Sequence, residues 1–148
     1  MRVLVQRSLS SKVEVRGKVV GEIESGMVLL VGFSKEDTKE DVLSLVNKVV
    51  HLRIFDDENG VMNRSILEVG GSILSVSQFT LYADTKHGNR PSYYKESMNQ
   101  EEASTLYDYF NQELKKICKV ETGIFRENMK LVITNDGPVT ILLESRKK

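Results

Sequence analysis

With two histidines, one cysteine and no paired spacing of metal ligands, this 148-residue sequence has few side chains that could run a reaction. Neither a metal site nor a cofactor is expected. Ser77-Gln78-Phe79-Thr80 closes an apolar stretch and offers two hydroxyls and an amide, yet no histidine lies near it in sequence to activate a nucleophile. A Ser/His/acid triad is therefore unsupported, and taken alone the alternation reads first as one buried and one exposed strand face. His51 ends a helical pattern, where packing or a cation at a helix C-terminus is common. The loop 86–92 holds Lys86, His87 and Arg90 among Gly and Pro, and is either a solvated connection or a cationic rim for phosphate. Asn135-Asp136-Gly137-Pro138 has the residues of a tight turn, but an X-Pro bond can be cis and Gly adds no side chain, so such a turn can present bare backbone to a ligand.

These groups need a scaffold, and the hydrophobic pattern supplies one. Val3, Val5, Val13, Val15, Val19 and Ile23 alternate with polar residues between Gly17, Gly21 and Gly26, predicting short antiparallel strands. The run 27–33 (MVLLVGF) is continuously apolar, as in a strand buried on both faces. Over 37–52, Val42, Leu45, Val46, Val49 and Leu52 form one helical stripe. A second stripe opens at Gln100-Glu101-Glu102 and runs through Ala103, Leu106, Tyr107, Phe110, Leu114 and Ile117, with Cys118 as a small packing residue in the same pattern. Turns are predicted at 56–60 and at Gly70-Gly71, and strands over 72–81, 130–134 and 139–144, the last two joined by 135–138. The sum is a mixed α/β chain. No repeat or linker divides it, so one domain over 1–148 is expected.

Composition sets outer limits. A chain of this length buries about 70% of its unfolded surface, enough for a real core. Lys plus Arg number 21 and Asp plus Glu also 21, so no net field draws in a polyanion, and nucleic-acid binding would have to use local charge. A lone cysteine, no apolar run of membrane-span length and no signal-peptide pattern lead to the expectation of a cytoplasmic protein without a membrane partner.

Taken together and in this order, 77–84 (SQFTLYAD), 89–92 (NRPS) and 135–140 (NDGPVT) resemble the D-aminoacyl-tRNA deacylase family. The likeness extends to 1–7 (MRVLVQR), 52–63 (LRIFDDENGVMN), 69–71 (VGG) and 120–123 (VETG), and so spans nearly the whole chain. It implies an α/β fold of layered, barrel-like mixed and antiparallel sheets with two main helices on one side, and a symmetric homodimer with sites at the subunit interface. It further implies that Ser77, Gln78, Phe79 and Thr80 line the site from one subunit while Gly137-Pro138, as a cis peptide beside Asn135, reaches into the partner's site as a chirality filter. The partner molecule is the 3′-end of aminoacyl-tRNA. Backbone carbonyls at fixed positions would collide with wrong-handed substituents, which is selection by exclusion. Achiral glycine would be spared least reliably.

The resemblance also accounts for the missing triad. It points to main-chain donors near Phe79 and Thr80 as an oxyanion hole and to the substrate's own 2′-hydroxyl as the activator of water; one such donor contributes about 3 kcal/mol. Ser77 and Gln78 would hydrogen-bond the substrate, and Phe79 and Met129 would enclose the terminal adenine. Lys86 and Arg90 are expected to meet phosphates. Two places depart from the family's pattern, Arg126-Glu127-Asn128 after Phe125 and Arg64 after Asn63, and both are expected to lie at the rim, away from 77–80 and 135–140. A deacylase for glycine or small L-amino acids, and a catalytically silent RNA-binding or dimerisation protein, are the competing assignments.

Overall fold

In the computed structural model, which describes residues 1–93 and 95–145, the strands are β1 (Arg2–Ser8), β2 (Ser11–Val15), β3 (Lys18–Ile23), β4 (Gly26–Gly32), β5 (Phe55–Asp56), β6 (Met62–Arg64), β7 (Ser72–Ser77), β8 (Val120–Thr122), β9 (Lys130–Val132) and β10 (Asn135–Glu144). The helices are α1 (Lys39–His51), α2 (Ile66–Val69) and α3 (Gln100–Lys115). Five strands form one sheet in the order β10-β1-β4-β7-β8, antiparallel on the β10 side and parallel from β4 to β8. A second sheet, β3-β2-β9, covers one face of it, while α1 and α3 cover the other. This is the expected mixed α/β arrangement of layers with the helices on one side.

The central strand β4 explains why 27–33 carries no polar alternation. Met27, Leu29 and Val31 pack against α1 and α3, whereas Val28 and Leu30 meet Val13, Ile23, Leu74 and Val76 in a second core beneath the small sheet. Both faces of β4 are interior. The helix stripes pack as their spacing requires, with Val42, Leu45, Val46 and Val49 of α1 and Leu106, Tyr107, Phe110 and Leu114 of α3 all buried. Helix starts are capped by side chains: Asp41 accepts from the Thr38 amide at 2.8 Å, and Asn99 from the Glu102 amide at 2.9 Å.

Four local expectations are corrected. Val19 is exposed, because a bulge opposite Val13 and Glu14 shifts the pleat of β3 and turns that side chain outward. Helix α3 ends at Lys115, so Ile117 is exposed, and Cys118 lies past the helix, half-buried against the core with burial raising its thiol pKa. Strand β7 stops at Ser77, after which residues Phe79–Tyr82 wind into a short 3-10 turn.

The fourth concerns 135–138, which is not a turn between two strands. Asn135 already pairs with Ser8 and Thr140 with Gln6, so Arg7 alone faces the four residues Asp136 to Val139. Strand β10 leaves its ladder, makes a detour and re-enters. Local turn rules, which see Asn, Asp, Gly and Pro but no partner strand, cannot tell this bulge from a hairpin turn.

Candidate active site

Where β7 ends, its last residue gives way to the 3-10 turn, and the change of direction opens a cleft of about 340 Å³. Ser77, Gln78 and Phe79 line it together with Met98, Gln100 and Ala103 and with residues 125–129. The Gln78 amide donates to the Val31 carbonyl at 2.7 Å, which extends the β4 contact by one residue before the chain turns. Arg2 supports the turn from behind: Nη1 donates to the Leu81 carbonyl at 2.7 Å, and the guanidinium lies 4.5 Å from the centre of the Tyr82 ring. Burial, with a further push from Asp37, raises the Tyr82 phenol well above its ordinary pKa, so it stays neutral. The first amides of a 3-10 turn have no partner within it, so Phe79 and Thr80 begin a segment whose N–H groups are free of helical bonding.

Phe79 is 56% exposed and meets the Tyr93 ring edge-on at 4.9 Å between centroids. An aromatic ring so exposed at a cleft offers an apolar face on which a flat group could stack. Thr80 stands just outside the cleft, exposed, its hydroxyl accepting from the Gln78 side-chain amide. Met129 lies in the cleft as the resemblance implies, and it fits because residue 123 is glycine: a Cβ there would come within 2.5 Å of the Met129 sulfur.

Lys86 and Arg90 project from an exposed loop closed by paired Asp84 and Ser92, and neither lines the cleft. The Lys86 amide donates to Asp84 Oδ1 at 3.0 Å and is the main cause holding that carboxyl below the ordinary range. His51 bonds the Asn47 carbonyl of its own helix at 2.8 Å. Among the described residues no group of three or more His, Cys, Asp or Glu side chains could hold a metal ion, and no helix is long and apolar enough to cross a membrane.

Gly137 and Pro138, joined by a cis peptide, are the exposed tip of the β10 bulge. Its base is gripped by Arg7, which is only 9% exposed: Nε donates to the Asp136 carbonyl at 3.2 Å and faces the Asp136 carboxylate at 3.3 Å, while Nη1 reaches the Ile54 carbonyl at 2.9 Å and Asp56 at 3.2 Å. Asn135 Oδ1 accepts from the Val139 amide at 3.1 Å and its Nδ2 donates to Thr140, closing the far side. The tip does not meet its own cleft. Arg7 pairs with Met27 and Val3 with Val31, which pairs in turn with Ser77, so tip and cleft are four residues apart along the strands and three strands apart across them. At ordinary sheet spacings that is roughly 20 Å.

The departing residues divide. Arg64 pairs with Glu58 on the β5–β6 hairpin and does not line the cleft. Arg126, Glu127 and Asn128, expected at a distance from 77–80, instead share the cleft wall with Ser77, Gln78 and Phe79. Phe33, Met98, Gln100 and Phe125 also line it and carried no sequence signal beyond ordinary apolar or polar character.

Comparison with known proteins places the whole chain in one family. The family model described as D-Tyr-tRNA(Tyr) deacylase matches residues 4–144. A D-aminoacyl-tRNA deacylase of Clostridium botulinum (strain 657 / Type Ba4) is 55% identical over 148 residues, covering 99% of each chain. Another, from Anoxybacillus flavithermus, is 50% identical over 147 residues, covering 99% of this chain and 100% of the relative. Among solved structures, one titled c-Myc DNA Unwinding Element Binding Protein superposes with a TM-score of 0.93 at 37% identity, covering 99% of this chain and 100% of that one. A probable eukaryotic D-amino acid tRNA deacylase shares the fold, with a TM-score of 0.84 at 19% identity over 97% of this chain and 98% of that one. A family model over most of the chain and relatives at 50% identity or more along its length set the class, a hydrolase of aminoacyl-tRNA esters. The chain belongs to the D-aminoacyl-tRNA deacylase family.

Proposed function

We propose that this chain, as one domain over 1–148, hydrolyses the ester of D-aminoacyl-tRNA, releasing the D-amino acid and tRNA. The observation that carries the assignment is the cleft walled by Ser77, Gln78 and Phe79 in a chain that matches the family model over 4–144. An aminoacyl ester is already activated, so orientation plus donors aimed at the developing oxyanion suffice without a side-chain nucleophile. The amides of Phe79 and Thr80 are suited to that task, and the substrate's 2′-hydroxyl activates water. Phe79, exposed and backed by Tyr93, takes the terminal adenine with Met129, while Ser77 and Gln78 orient the ester.

The enzyme acts as a homodimer. Two features support this: the bulge tip lies too far from its own cleft to act there, and β10 is a ten-residue strand at the border of its sheet with Leu142 exposed, a surface suited to a second copy. In the dimer, Gly137-Pro138 of one subunit enters the partner's cleft and presents carbonyls that exclude L-substituents. Glycine, with no side chain to exclude, is cleaved as a side activity. The protein works in the cytoplasm and needs no metal. Balanced charge argues against a catalytically silent RNA-binding protein, the competing role outside catalysis.

The direct test is ester loss from D-Tyr-tRNA, L-Tyr-tRNA and Gly-tRNA. Rapid cleavage of the D form and retention of the L form are expected; equal rates on both would refute the filter, and no cleavage the enzyme. Thr80→Ala should keep most of the activity, since its hydroxyl is not the nucleophile, and complete loss in a folded variant would restore covalent catalysis. A gentler probe is Gly123→Ala. The new methyl displaces the flexible Met129 side chain, so stability should change by under about 1 kcal/mol while KM rises severalfold. Thermal denaturation beside steady-state kinetics separates the two effects.

A further inference from the structure

We infer that Arg126 is a substrate-positioning residue that receives a phosphate of the tRNA acceptor end, and that Arg16 holds it in place through Glu127. This rests on the deacylase assignment of the same cleft. Among the described residues, Arg16 and Arg126 are the non-glycine residues with positive φ, at 50° and 70°. Arg16 and Gly17 form the two-residue turn between paired Val15 and Lys18, a position that Asn, Asp or Gly occupy comfortably. Arg126 is the third residue of a turn closed by the Glu127 amide on the Ile124 carbonyl at 3.3 Å, where glycine is favoured when φ is positive. Each such arginine costs about 1 kcal/mol relative to glycine. Strain of this kind concentrates at functional sites.

The two strained turns are tied to each other. Arg16 Nη2 donates to both carboxylate oxygens of Glu127, at 3.0 and 3.1 Å. Among the described residues lining the cleft, Arg126 and Glu127 are the charged ones, and Glu127 is already matched by Arg16. Arg126 is thus left as the cation of the cleft, exposed, in the same lining as Ser77, Gln78 and Phe79. Because the chain has no net charge, attraction for a polyanion must come from a placed cation of this kind. A guanidinium offers paired donors that match phosphate geometry. With the terminal base on Phe79, the adjoining phosphodiester is the anionic group nearest to hand.

Two substrates isolate the contact: D-Tyr-tRNA and D-tyrosyl-adenosine, which carries the same ester without any phosphate. Arg126→Gly suits the left-handed backbone, so its melting temperature should equal or exceed that of the parent. For this variant, KM on D-Tyr-tRNA should rise about tenfold more than KM on D-tyrosyl-adenosine, with kcat little changed. The slope of log kcat/KM against log salt should fall by about 1. Arg126→Lys should recover part of the loss, and Arg16→Ala should shift the same ratio in the same direction by a smaller factor. Equal losses on the two substrates, an unchanged KM for tRNA, or a fall in kcat alone would overturn the assignment. If the wild-type protein cleaved neither ester, the deacylase assignment itself would fall and take this one with it.

Discussion

Arg7→Ala is expected to cost the fold about 3 kcal/mol and to collapse the difference in rate between D- and L-aminoacyl esters. The guanidinium is nearly buried and satisfies the carbonyls of Ile54 and Asp136 at 2.9 and 3.2 Å. Truncation leaves both carbonyls short of a donor. The Asp56 and Asp136 carboxylates are about half-exposed and can turn to water, so the cost lies in the lost carbonyl bonds and packing rather than in stranded charge. Selectivity should suffer more than stability, because Arg7 is the one residue of β1 spanning the detour from Asp136 to Val139. Arg7→Lys makes the useful control: it keeps the charge but cannot bond Ile54, Asp56 and Asp136 at once, so it should recover stability before selectivity. Urea denaturation and paired rates on D- and L-Tyr-tRNA report the two effects. A folded Arg7→Ala enzyme that still rejects the L form would remove Gly137-Pro138 from the filter.

The second large effect is a gain of activity. Gln78→Ala disables the cleft and Gly137→Ala the tip; in the latter a Cβ would sit 2.8 Å from the Val139 Cγ2 and 3.2 Å from Arg7 Nη2, at a φ of +124°. Each variant alone should lose about a hundredfold in rate, the usual penalty for misplacing a reacting group by an ångström. A hybrid dimer isolated with two different affinity tags should behave otherwise. One of its clefts carries both defects and the other neither, so it should regain about half the wild-type turnover if each site is built from two subunits. A hybrid as inactive as its parents would place the tip's action elsewhere.

Much of the scaffold could be read from the residues alone, and the reasons for the misses are physical. The continuous apolar run of β4 announces two interior faces, and the α1 and α3 stripes announce their packing sides. Val19 misleads because a bulge inverts its face, and Ile117 because an apolar pattern continues past the point where the hydrogen-bonded helix stops. The site is harder. Phe79, Thr80 and Tyr82 are residue types that favour strands, so the switch to a 3-10 turn after Ser77 leaves no local mark. Ser77 to Phe79 and Met129 came to one cleft through family likeness, not through periodicity. Arg126 was legible only as a departure, since its place in the wall depends on a pairing of β2 with β9 that no short stretch of sequence encodes.

The detour in β10 also bears on how such an enzyme changes over generations. Its ladder is intact on both sides, at Asn135 and again from Thr140 onward, and of the detour Val139 packs against the core while Gly137 and Pro138 stand exposed, so neither core layer depends on those two residues. On the proposed role of the tip, changes at Pro138 alter what the protein presents to a substrate while leaving the core layers as they are. If the tip is the filter, selectivity and foldability are separate heritable traits, and drift in one need not be compensated in the other. Arg7 and Val139, which join the detour to the core, belong to both.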